Sequence, residues 1–157
     1  MKILLPTAED TLALGADLAG IAVPGDLLVL AGPLGAGKTV LAKGLGAGLG
    51  IRRRVTSPTF VLSRVYLEGR LPMVHVDAYR LGSTSEVDDL DLEEFTDTSV
   101  TVVEWGLGLV EHLAEAHLLV ELDSRRADGV REATLAPTGG DWMSRLSVLA
   151  RRRRAMA

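Results

Sequence analysis

The sequence predicts an α/β protein, a three-layer sandwich with a mainly parallel central sheet. Two observations carry this. Short apolar runs, Leu27 to Ala31 and Val100 to Val103 above all, read as buried strands. Stretches of helical character alternate with such runs, as crossovers between parallel strands require. The size agrees: 157 residues, 47% hydrophobic and 24% charged, can bury one core without staples. We expect one domain over 1–140, followed by a C-terminal helix and basic tail over 141–157.

In chain order, Thr7 to Leu18 reads as a helix, with Thr7 as its cap and Glu9 and Asp10 at its positive end. Pro24-Gly25-Asp26 turns the chain into the strand Leu27 to Ala31. A Gly-rich turn follows, then a helix from Thr39 to Leu49 that ends at Gly50. Val55 to Leu67 reads as a loop entering a strand, with a hairpin turn at Glu68-Gly69-Arg70 and a return over Leu71 to Val76. Ser85 to Phe95 is predicted as a short acidic helix and Leu107 to Ala116 as another. Leu118 to Leu122 and Arg131 to Ala136 suit two late strands around Asp128-Gly129. Asp141 to Arg154 closes the chain as a helix with a frayed, disordered basic end.

Composition removes several classes of function. There is no cysteine, which excludes disulfide scaffolds, thiolate metal sites and cysteine nucleophiles. No apolar run approaches the roughly 18 residues of a membrane span. Met1 to Pro6 is too short for a signal peptide, so a cytoplasmic protein with no membrane partner is expected. The net charge of −4 includes five arginines, Arg145 and Arg151 to Arg154, and removing them leaves −9. Seven acids lie between Glu86 and Asp97 without an intervening base. Such a body is a poor general nucleic-acid binder. The acidic stretch reads as a solvated helix face or as the docking site of a basic partner.

One motif carries chemistry by itself. Gly32-Pro33-Leu34-Gly35-Ala36-Gly37-Lys38-Thr39 fits G-x-x-x-x-G-K-[ST] in full, after a strand and before a helix. Glycines let successive N–H groups curl inward around phosphate oxygens, and the helix adds its positive end, with Val40 in its first turn. Lys38 is expected on the β- and γ-phosphates and the Thr39 hydroxyl on Mg²⁺. Four fixed positions match by chance in fewer than about one chain in a hundred of this length. The guanine-reading pattern N/T-K-x-D is missing, because there is no asparagine and none of the three lysines is followed two residues on by aspartate. ATP is therefore the expected nucleotide.

Such a site needs a second anion near the metal and a group that orients the attacking water. Glu104 ends the apolar run Val100 to Val103, and Asp77 ends Met73-Val74-His75-Val76; sequence leaves open which of them touches the metal. Thr59, in Thr56-Ser57-Pro58-Thr59-Phe60, lies about 20 residues after the phosphate loop, where a switch often stands. Read alone it is a turn residue. His75 reads as a packed strand histidine, and His112 and His117 share no helix face. Trp105 is either core or a surface on which a ligand stacks.

Taken together, the phosphate loop, Ser57-Pro58-Thr59-Phe60, His75-Val76-Asp77-Ala78-Tyr79-Arg80 and Val103-Glu104-Trp105 resemble the TsaE (YjeE) family of small bacterial ATPases. The resemblance spans roughly residues 7 to 137 and includes Arg131-Glu132; the Arg151 to Arg154 tail falls outside it. It implies a P-loop NTPase-like fold, ATP and Mg²⁺, with Thr39 and Glu104 on the metal side. It implies that Asp77 and Thr59 serve hydrolysis or switching, and that Arg131 and Trp105 contact the nucleotide. It also implies slow hydrolysis that depends on TsaD and TsaB counterparts, and a role in threonylcarbamoyladenosine (t6A) modification of tRNA at position 37, with tRNA met through that complex. Two other readings compete: a small-molecule P-loop kinase with Arg125, Arg126 and Arg131 as a lid, and a binding module that holds ATP without hydrolysing it.

Overall fold

The structure, a computed structural model, describes residues 1–59 and 62–157. Phe60, the last residue of one of the four motifs, lies outside the described residues. Seven strands form one sheet: β1 (Lys2–Leu5), β2 (Leu27–Ala31), β3 (Ser63–Tyr66), β4 (Met73–Asp77), β5 (Val100–Glu104), β6 (His117–Asp123) and β7 (Arg131–Thr138). Their order is β1-β7-β6-β2-β5-β4-β3. The four central strands β6, β2, β5 and β4 are parallel. β7 and β3 are antiparallel to their inner neighbours, and β1 is antiparallel to β7. The sheet is therefore mainly parallel, with hairpin strands at its edges.

Helices α1 (Ala8–Ala19), α2 (Lys38–Gly48) and α5 (Trp142–Met156) cover one face, and the short α3 (Thr84–Asp88) and α4 (Glu93–Thr96) lie on the other. Alternation along β2 explains the three layers. Leu28 and Leu30 pack with Leu14, Leu18, Leu41, Leu45 and Trp142; Leu27 and Val29 pack with Val87, Leu92 and Val103. Among the described residues, no helix is long and apolar enough to cross a membrane.

The start of α1 is fixed by a capping box. The Asp10 amide donates to the Thr7 hydroxyl oxygen, and the Thr7 amide donates to the Asp10 carboxylate at 2.8 Å. α1 and α2 then cross in direct backbone contact. A Cβ on Gly15 would collide with the Leu41 carbonyl, and one on Gly44 with the Leu12 carbonyl.

Four expectations need correction. β1 was not anticipated; it is a four-residue edge strand whose pairing with β7 lies far away in sequence. The predicted acidic helix is two short helices, separated where Asp91 adopts φ 51°. The predicted helix Leu107 to Ala116 is an irregular turn with a single 3₁₀ turn, Glu111–Leu113. There Gly108 holds φ 83°, outside the helical region, and the Glu111 carboxylate accepts from the amides of Gly108 (2.7 Å) and Val110 (3.2 Å). The basic tail is not frayed: Arg151 to Arg154 continue α5. That helix is anchored by buried Trp142, Leu146 and Leu149, by Arg145 on Asp26 and by Arg153 on Asp17.

The helix crossing gives a direct test. Gly44→Ala should destabilise the protein by about 2 kcal/mol or more, because backbone cannot yield as a side chain can. Gly129→Ala, at φ 74° in an open turn, should cost about 1 kcal/mol from backbone conformation alone. Urea unfolding midpoints at constant m-value measure both.

Candidate functional site

The parallel strands end together, and their last residues make the site. Glu104 of β5 is in register with Leu30 of β2 on one side and with Asp77 of β4 on the other. The two acids are neighbours at the carboxyl edge of the sheet, where open α/β sheets bind their ligands. Both are buried. The loop from β2 to α2 rises beside them.

Gly32, Gly35 and Gly37 hold φ values of 143°, 77° and 108°, which L side chains avoid. At Gly32 a Cβ would strike the Leu122 carbonyl. At Gly37, the N-cap of α2, a Cβ would stand 3.5 Å from Thr11 and 3.9 Å from Arg131, so the cradle is walled by α1 and β7. Beside it lies a cavity of about 400 Å³. Leu34, Gly35, Gly37, Lys38, Thr39 and Val40 line it; Gly32, Pro33 and Ala36 shape the loop from behind.

Lys38 is buried and fully engaged. Its ammonium donates to the carbonyls of Gly32 (2.7 Å) and Pro33 (2.8 Å) and lies 3.9 Å from the centre of the Trp105 ring. Burial pushes its pKa below the ordinary 10.5, against the opposing pull of Glu104 and Asp77. Trp105 holds φ 62° and its amide donates to Leu30 O. That conformation carries the indole over Lys38 and against Tyr79, 5.0 Å between ring centres.

The two acids have different companions. Glu104 Oε1 accepts from the Thr39 hydroxyl at 2.8 Å, and its Oε2 lies 2.6 Å from His75 Nε2. Asp77 Oδ2 accepts from the hydroxyls of Ser57 (3.2 Å) and Thr59 (3.3 Å), while its Oδ1 accepts from the Tyr79 amide at 3.0 Å. Glu104 thus belongs to the loop, and Asp77 to the segment around Ser57 and Thr59. His75, expected to be packing, is instead a partner of Glu104. The available signal was its place two residues before Asp77, on the same strand face. Arg131 reaches the loop from β7, 3.4 Å from Gly35 O, and its buried Nε has no partner among the described residues.

The donor set is suited to a hard cation and a polyphosphate. Thr39 and Glu104 offer neighbouring oxygens, which Mg²⁺ prefers. Among the described residues no group of three or more His, Asp or Glu could hold a metal. A cation here would therefore need further oxygens from phosphate and water, which is the ordinary habit of Mg²⁺.

Comparison with known proteins fits this geometry. The model of the family described as threonylcarbamoyl adenosine biosynthesis protein TsaE matches residues 5–133. The chain belongs to the TsaE family. A TsaE from Streptomyces coelicolor, named as a tRNA threonylcarbamoyladenosine biosynthesis protein, is 51% identical over 144 residues, covering 87% of this chain and 97% of its own. The TsaE of Bacillus subtilis is 43% identical over 132 residues, covering 83% of this chain and 82% of its own. The crystal structure of Bacillus subtilis YdiB superposes with a TM-score of 0.81 at 33% identity, over 98% of this chain and 95% of that one. The TsaE match ends inside β7, so α5 lies beyond it.

The lowered pKa of Lys38 has a consequence with a definite sign. Between its folded value and 10.5 the unfolded chain binds more protons than the folded one, so stability rises with pH. Compared with Lys38→Met, the unfolding free energy of the wild-type protein should therefore gain steadily across the alkaline range up to 10.5. Urea titrations of both proteins at a series of pH values measure the difference.

Proposed function

We propose that this protein is an Mg²⁺-dependent ATP hydrolase that acts as a switch in threonylcarbamoyladenosine modification of tRNA, together with TsaD and TsaB counterparts. The observation that supports it most is the meeting of Lys38, Thr39, Glu104 and Asp77 at one cavity, in a chain of the TsaE family. The loop's amides and Lys38 bind the phosphates. Lys38 exchanges the carbonyls of Gly32 and Pro33 for phosphate oxygens. Arg131 and Thr11 flank the loop at Gly37, and the unpartnered Nε of Arg131 is a donor for the nucleotide. Trp105 supplies an aromatic wall.

Thr39 and Glu104 would hold Mg²⁺, which when bound neutralises charge on the β- and γ-phosphates. Asp77 is the water-side acid. Its Oδ1 is fixed by the Tyr79 amide, and its Oδ2 takes the proton side of the attacking water once Ser57 and Thr59 turn away. The water oxygen bonds to the γ-phosphorus, the bond to the β-bridging oxygen breaks, and ADP leaves. Loss of the γ-phosphate lets Thr59 return to Asp77, and that motion is what a TsaD–TsaB partner would read.

The lid expected of a small-molecule kinase finds little support. Arg125 is held by Asp123 and Arg126 by Asp128, in the turn between β6 and β7. Neither lines the cavity, whereas Arg131 does.

Lys38→Ala should abolish ATP binding in calorimetry. Glu104→Ala should keep most of the binding and lower turnover by about 10²-fold or more. The decisive assay is phosphate release from Mg-ATP by the purified protein, alone and with TsaD and TsaB counterparts. Slow release that rises with the pair is expected; fast release without them, or none in either case, would refute the proposed role.

A further inference from the structure

We propose that His75 is a positioning residue that sets the metal-side geometry through Glu104. The proposal rests on reading the loop as a phosphate site, and it extends that reading to a side chain outside the cavity. His75 is fully buried on β4, on the face that carries Met73 and Asp77. It is in register with Val102 of β5, two residues before Glu104, so it approaches that carboxylate diagonally across neighbouring strands.

The hydrogen bonds run in one sense. A carboxylate accepts and does not donate, so His75 donates from Nε2 to Oε2 across 2.6 Å. The same carboxylate accepts the Thr39 hydroxyl hydrogen on Oε1. With both oxygens engaged, the plane of the carboxylate is fixed. With its hydrogen committed to Glu104, the Thr39 oxygen keeps its lone pairs for the cavity. His75 thus acts two bonds away, by deciding where Thr39 points. This is the relation of an outer-shell partner to a ligand.

A second observation separates this from packing. With Nε2 donating, Nδ1 is left as a buried nitrogen that has no partner among the described residues. An unpaired buried polar atom is unfavourable. An aliphatic residue, like Met73, Val74 and Val76 on the same strand, would fill the space without it. Among the described residues, the hydrogen bond to Glu104 is the one polar contact this imidazole makes, and leucine could not make it.

The test measures the ADP dissociation constant by calorimetry, with Mg²⁺ and with a chelator. The ratio of the two constants reads the coupling of metal to nucleotide. His75→Leu should bind ADP like the wild type in chelator and lose about tenfold in the ratio. His75→Gln, whose amide nitrogen reaches as far as Nε2, should keep the ratio within about threefold. His75→Asn, whose amide ends near the place of Nδ1, should resemble His75→Leu. If His75→Leu keeps the wild-type ratio, His75 is packing and the proposal fails. Should His75→Leu not fold, the other two variants decide, and equal ratios for Gln and Asn overturn it. Lys38→Ala is the control: if it still binds ADP like the wild type, the phosphate-site reading fails and takes this inference with it. If Lys38→Ala loses binding while His75→Leu keeps its ratio, the inference fails alone.

Discussion

The site depends on one row of residues across three parallel strands. Leu30, Glu104 and Asp77 stand in register at the carboxyl ends of β2, β5 and β4. Because strands in register present side chains to the same face, two acids become neighbours there. Because β2 is the adjoining strand, the loop that leaves it passes directly over them. A slip of one residue in any of these pairings would turn an acid to the opposite layer and place an aliphatic side chain beside the loop. The buried row of valines and leucines behind the acids therefore holds the chemistry in place. Its hydrophobic burial sets the register, and the register sets the distances between Thr39, Glu104 and Asp77.

Much of this was legible in the sequence where the cause is local. The phosphate loop announces itself because positive φ favours glycine, and Gly32, Gly35 and Gly37 all adopt such angles. β2 and β5 were legible as continuous apolar runs because both their faces are covered. Thr7 was legible as a cap because its partner Asp10 lies one turn away. The TsaE resemblance rested on motifs that the fold gathers at one edge of the sheet, although Phe60 lies outside the described residues.

What sequence did not give was decided at long range or by a single side chain. β1 is half exposed and gains its place from β7, more than a hundred residues on. The turn after Trp105 escapes helix because Gly108 holds φ 83° and Ala114 is extended, while Gly106 has no room for a Cβ against Val103 and Val110. The division between the acids, Glu104 to the loop and Asp77 to Ser57 and Thr59, needs coordinates, since both close similar apolar strands. The basic tail looked free because its arginines have no nearby acid in sequence, yet Arg153 finds Asp17 on α1.

The contacts of Lys38 set a threshold for any anion at the loop. Its ammonium has two carbonyl acceptors and an indole face, so the loop meets an arriving anion already satisfied. An anion of low charge has little with which to displace those contacts. A polyphosphate brings several charges to the same ammonium and to the loop amides at once. Two carbonyls and an indole face on one ammonium thereby weight the loop toward groups of high charge.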